Sequence, residues 1–110
     1  MIAYDLPLRI ESTLNKREHW GKRAQRTKLH RFASIAVQPH PLPCVVRVVR
    51  IAPRKLDSHD NLRAGCKALV DGIAKRLGVD DADPRVKWEY DQERGRAKEY
   101  AVRIEIRGGA

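Results

Sequence analysis

Aromatic side chains make up only 5% of this 110-residue chain, so any core has to be built from aliphatic residues. Cysteine is scarcer still: Cys44 and Cys66 have neither metal-ligand spacing nor a partner pattern. That excludes a disulfide-stapled fold and makes a reducing cytoplasm the expected compartment. No apolar run approaches the ~20 residues that a membrane-spanning helix requires. Asp5, Pro7, Arg9 and Glu11 interrupt the first residues, so no secretory signal is expected. The chain lacks a G-x-x-x-x-G-K-[ST] phosphate loop, an H-E-x-x-H zinc motif and a nucleophile elbow. His19, His30, His40 and His59 are scattered without zinc spacing and read as surface residues. Internal repeats and low-complexity tracts are missing too.

What the chain has in plenty is charge, unevenly placed. Its 23 Lys and Arg against 14 Asp and Glu give a net +9. Residues 1–56 hold 12 basic and 3 acidic side chains, whereas residues 57–110 hold 11 of each. A length of 110 residues fits one domain with a modest core, which association into an oligomer would help to bury. The expectation is one domain over residues 1–110: a basic, nucleic-acid-binding half, 1–56, and a chemistry half, 57–110. Within the basic half, Lys16, Arg17, Lys22, Arg23, Arg26, Lys28 and Arg31 face only Glu18, with His19 and His30 among them. A solvated charged face is the plainer reading of such a run. Uncompensated repulsion points instead to contact with phosphates. Arg54 and Lys55 add two more cations just before the acidic stretch.

The hydrophobic pattern predicts a mixed α+β domain in the order β-α-β-α-β-β. Residues 4–10 alternate as a strand, and Pro7 places it at an edge or on a bulge. Residues 15–37 read as an untidy helix whose apolar face is Leu29, Phe32, Ala33 and Ala36, with Trp20 either core or a stacking platform. Three prolines make 38–43 a connector. Residues 44–52, CVVRVVRIA, form a β-branched strand. A helix over 61–77 carries the apolar stripe Leu62, Cys66, Leu69, Val70, Ile73 and Leu77. Asp60 is its expected N-cap, with Ser58 as the alternative, and Gly78 stands just past its end. Gly65 and Gly72 lie off the stripe, where a close neighbour would explain them. Val86, Trp88 and Tyr90, then Tyr100, Val102, Ile104 and Ile106, alternate on either side of a turn near Gly95, a C-terminal β-hairpin signal.

Six of the fourteen carboxylates, Asp57, Asp60, Asp71, Asp80, Asp81 and Asp83, fall within residues 56–83. At 100° per residue, Asp60, Lys67 and Asp71 lie within about 40° of one another, away from the stripe. The plainer reading takes Asp60 as a cap, Lys67 with Asp71 as a solvated i,i+4 pair, and Asp80 to Asp83 as an acidic turn. Crowded carboxylates repel unless a cation lies among them, and a divalent metal facing a polyanion is the sharper reading.

The series D-x-x-D-N-L, a helix with K-x-x-x-D, then G-V-D-D-x-D-P-R-V and W-E-Y-x-Q resembles the RusA family of Holliday-junction resolvases, the prophage branch above all. The match is most specific over residues 56–92, and N-x-R-x-H-W near the N-terminus is a weaker one. Two positions depart from it. Ser58 stands where the family's D-x-D-N has its first acid, so Asp57 has to substitute, and Lys67 lies three residues beyond the family's usual lysine. The resemblance implies a RusA-like fold and a homodimeric, Mg²⁺-dependent endonuclease (Mn²⁺ substituting) that nicks opposing strands of four-way DNA junctions in recombination and repair. It assigns Asp57, Asp60 and Asp83 to the metal, Lys67 to phosphate charge, Asp71 to support of Lys67, and Asp80 and Asp81 as substitute acids. Two readings from other classes stand beside it: a non-catalytic basic module with a degenerate acidic site, and a small RNA-binding domain.

Overall fold

The computed structural model describes residues 1–10, 20–56 and 59–109, with backbone alone for 20–24, 26–27 and 59–60. In chain order the elements are β1 (Ile2–Leu6), α1 (Trp20–Ala33) running into a 3₁₀ turn (Ser34–Ala36), β2 (Cys44–Ala52), α2 (His59–Leu77), β3 (Val86–Arg94) and β4 (Ala101–Gly108). The β-α-β-α-β-β order is borne out, as a single α+β domain with one mixed four-stranded sheet and two helices.

The expected C-terminal hairpin is not. The sheet order is β1-β4-β2-β3, so β2 stands between the two strands that alternation had joined. β3 runs parallel to β2, and β4 lies antiparallel to β2 and β1. Alternation reports which side chains share a face, not which strand lies alongside. β2 is apolar nearly throughout, which suits a strand covered on both edges and buried on most of its length. Residues 95–100 therefore pass over its end, where the Gly95 amide donates to the Ala52 carbonyl at 2.9 Å.

β1 takes an edge position, as Pro7 requires, but stops at Leu6 instead of continuing to residue 10. Leu6, Leu8 and Ile10 are nonetheless all buried. All six stripe residues of α2 are buried against Val46, Val48, Val102, Ile104 and Ile106 of the sheet. Each such side chain contributes roughly 1.5–3 kcal/mol of burial. Burial pushes the Cys66 thiol up to about 12, so it packs as a neutral apolar group. α2 begins at His59, which puts Asp60 in the first turn and not at the cap; Ser58, the alternative cap, lies outside the described residues. At its other end Gly78 (φ +76°) donates to Lys75 O and Val79 donates to Ala74 O, both at 3.0 Å, closing a Schellman motif.

α1 is rotated relative to expectation. It buries His30, with Ser34 and Val37 continuing that face, while Leu29, Phe32 and Ala36 stay exposed and Ala33 is half-buried. The cause is a close approach to α2 at Gly72, where a Cβ would lie 2.9 Å from Ser34 Cβ and 3.4 Å from Arg31 Cα. Only small side chains fit that crossing, so the bulky ones are turned outward. Arg76 pins the far side by donating from Nε to Val37 O at 2.9 Å. Among the described residues no helix is long and apolar enough to cross a membrane.

Gly72→Val should therefore force the two helices apart. Overpacking of this kind costs about 1–3 kcal/mol, far more than the few tenths that valine gains over glycine in helix propensity. Urea denaturation should show that loss, and Ser34→Gly in the same chain should recover part of it. Unchanged stability of the single variant would contradict the close crossing.

Candidate active site

α2 carries Arg63, Lys67, Asp71 and Lys75 at successive intervals of four, one ridge on its outer face. The loop after Gly78 returns along that ridge and is fixed by β3, where Trp88 Nε1 donates to Asp81 O at 3.0 Å. Lys67 Nζ consequently lies 3.7 Å from Asp71 Oδ1 and 3.8 Å from Asp81 Oδ2. These are exposed, long pairs worth a fraction of a kcal/mol, so opening them costs little and the ammonium is available to an incoming anion.

Asp80 and Asp81 are crowded against one another. Their side chains share a hydrogen bond that holds Asp80 below the ordinary carboxylate value and raises Asp81; Lys67 lowers Asp81 again and Asp71 raises it. Crowding of two carboxylates is what an added cation would relieve. Behind them a cavity of about 520 Å³ opens between α2 and the 3₁₀ turn, with Asp71, Asp80 and Asp81 lining one part and Arg31, Lys75 and Arg76 another. On the β3 side Asp81 also borders a groove with Arg63, Lys67 and Tyr90. The Arg63 guanidinium lies 5.8 Å from the Tyr90 ring centroid.

No protein-family model matches the chain, and no curated protein does. The site is therefore judged on its own atoms.

Of the expected metal set, Asp57, Asp60 and Asp83, only the Asp83 side chain falls within the described atoms. Asp57 lies outside the described residues. Asp60 has its backbone in the first turn of α2, eleven residues and thus about 16 Å of helix axis from Asp71. Asp83 is committed elsewhere. Arg85 donates from Nη2 to Oδ2 at 2.8 Å, from Nε to Oδ1 at 3.0 Å and from its amide to Oδ1 at 2.9 Å. Those bonds hold the Asp83 carboxyl down at about 2. Among the described residues no group of three or more His, Cys, Asp or Glu side chains converges on one point. The better assembled acids are Asp71, Asp80 and Asp81, which sequence reasoning ranked as auxiliary. Arg63, Lys75 and Arg76 were not singled out at all, although the interval of four that joins Arg63, Lys67, Asp71 and Lys75 was there to be read.

Ahead of α2 the chain is anchored at Leu56. Gln92 Oε1 accepts from Leu56 N at 2.9 Å and from Arg50 Nη1 at 3.3 Å. Arg50, almost wholly buried, also donates to Ile10 O at 2.9 Å and Arg54 O at 2.7 Å. Of the expected DNA-contacting residues, Lys28, Arg31, Arg54 and Lys55 are exposed. Lys22, Arg23 and Arg26 lie on α1 with only their backbone described, and Lys16, Arg17 and His19 fall outside the described residues. The Trp20 side chain is likewise not described. The second tryptophan, Trp88, is half-buried and acts as the clamp on the acidic loop.

Because Asp83 is depressed from 3.8 to about 2 in the folded chain, its stabilising effect is complete above about pH 4 and disappears as the pH falls towards 2. Urea midpoints of wild type and Asp83→Asn should accordingly differ at pH 5 and converge by about pH 2. A gap that stays constant over that range would show that the Arg85 pair is not formed in solution.

Proposed function

We propose that the protein is a metal-dependent endodeoxyribonuclease acting on branched DNA, four-way junctions in particular, as a two-fold homodimer in the cytoplasm. One observation carries this reading: Lys67 lies 3.7 Å from Asp71 and 3.8 Å from Asp81, two acids that line a cavity together with Arg31, Lys75 and Arg76. Phosphodiester hydrolysis needs carboxylates for the metal and positive charge for the phosphate, and both lie within one hollow. The resemblance of residues 56–92 to RusA resolvases supports the same activity, and two symmetry-related sites suit paired nicks.

Mg²⁺ takes one or two carboxylates and keeps most of its waters, a donor requirement that Asp81 with Asp71 or Asp80 meets; Asp57 and Asp60 are the further acids. Bound there, Mg²⁺ supplies an activated water and neutralises charge on the phosphate oxygens. Lys67, poorly tied in the free protein, swings onto a non-bridging oxygen as charge builds on phosphorus. Arg31, Lys75 and Arg76 bind the flanking phosphates and set the register of the strand. Trp88 and Gln92 position the two loops that present the acids, each through a backbone group, without touching the substrate. A non-catalytic DNA-binding module is the second reading, favoured by the commitment of Asp83 to Arg85 and by Ser58 at the position of the missing acid.

The deciding experiment is nicking of a synthetic four-way junction in Mg²⁺, with binding measured separately in Ca²⁺. Asp81→Asn and Lys67→Ala should each reduce the nicking rate by about 10²-fold or more while junction affinity changes little. Asp60→Asn tests whether the far acid takes part. Tight junction binding by wild type with no nicking in either Mg²⁺ or Mn²⁺ would leave the module reading in possession.

A further inference from the structure

The helix crossing at Gly72 leaves a hydrophobic surface that none of the described residues covers. Phe32 is 72% exposed, Leu29 58% and Ile35 54%, and with Gln25, Lys28 and Arg31 they line one shallow hollow. Phe32 is the chain's sole phenylalanine, and few residues are costlier to leave in water.

Its surroundings indicate what covers it. α1 holds Lys22, Arg23, Arg26, Lys28 and Arg31 and no acidic residue. A second copy docked by the same face would oppose Lys28 and Arg31, which line the hollow, with the same cations, whereas a polyanion would neutralise them. The hollow is also continuous with the acidic site, since Arg31 and Ile35 line both this hollow and the 520 Å³ cavity that contains Asp71 and Asp81. A strand whose phosphates reach Arg31 at that cavity passes beside the exposed Phe32. An anionic chain bearing flat apolar groups is a nucleic acid strand with its bases unpaired.

We propose that Phe32, flanked by Leu29 and Ile35, is a stacking platform for an unpaired base of the bound strand. This rests on the nucleic-acid reading of the neighbouring site and narrows it: the preferred substrate has an open or unstacked base beside the phosphate that enters the cavity, and continuous duplex is disfavoured. Lys28 and Arg31 hold the backbone on either side of the stacked base, and the apolar pair excludes water from its edges. The aromatic face tolerates any base, so the platform reads strand opening and not sequence.

The test needs no cleavage and is therefore independent of whether the acids are catalytic. In Ca²⁺, wild type, Phe32→Ala and Phe32→Trp are titrated against a junction carrying 2-aminopurine at the branch point, a single-stranded oligonucleotide and a fully paired duplex. Wild type should change the 2-aminopurine emission. Phe32→Ala should abolish that change and weaken binding to the junction and the single strand about 5- to 100-fold, leaving duplex affinity unaltered, and Phe32→Trp should restore both. Equal affinities of wild type and Phe32→Ala for unpaired DNA would overturn the proposal. So would sedimentation showing a wild-type dimer that Phe32→Ala converts to monomer with unpaired-DNA binding intact, since the patch would then be an interface between copies. Phe32 is exposed, and circular dichroism checks that the variants fold.

Discussion

A single buried guanidinium, Arg50, ties together the end of the sheet from which the acidic helix departs. It is 7% exposed and lies on the helix-facing side of the central strand. Its Nε and Nη1 donate to two backbone carbonyls from separate segments, Ile10 and Arg54, and to the Gln92 side chain. Burying a charge costs several kcal/mol unless its donors are met, and here carbonyl and amide oxygens take up the Nε and Nη1 donors. Nothing about the apolar core demands an arginine there; a leucine would pack with less cost. What the guanidinium adds is position, because it fixes where the chain leaves β2 and, through Gln92 and Leu56, where α2 begins.

The same logic recurs at the other end of α2, with weaker bonds. Trp88 holds the acidic loop by one hydrogen bond to a backbone carbonyl, and Lys67 touches its two carboxylates only at long range. Rigid support behind and loose ionic contact in front is a sensible division for a site that must exchange partners. The positions are set by a buried guanidinium, a carboxamide and an indole. The charges that a phosphate would meet remain exposed, cheap to separate and screened by salt.

The helix-facing half of this architecture was legible in residue order. The β-branched run of β2, the alternation of β4, the six-residue stripe of α2 and the glycine at its end are local signals, and burial follows them directly. Three features were not legible. The neighbour of β3 and the buried face of α1 depend on contacts between distant segments, and the orientation of Asp83 depends on which nearby charge it meets. β3 goes beside β2 because β2 is the apolar strand needing two neighbours. α1 buries serine and histidine in preference to phenylalanine because Gly72 lies opposite. Asp83 turns to Arg85 two residues away, which a nearby cation makes cheaper than joining acids across the helix. A motif fixes residue types and spacing, but a carboxylate goes to whichever cation the folded chain brings nearest.

Charge distribution then separates the two faces of the sheet. On the open face Arg47 meets Asp91 and Glu105, Arg103 meets Glu93 and Glu105, and Arg107 meets Glu89, a lattice in which each of these arginines has a carboxylate. That lattice closes over Val49, which is fully buried. α1, on the opposite face with α2, has five Lys and Arg and no acid of its own. The net charge of +9 is thus less a property of the whole surface than of the helical side. A polyanion approaching at moderate ionic strength is steered there because the other face presents paired dipoles whose fields cancel within a Debye length. Arginines paired with carboxylates are held by strands, and the helix beside the acids carries basic residues with no acid of its own. Had the arginines of β2 and β4 been left unpaired instead, phosphates would have been drawn to the face remote from Asp71 and Asp81.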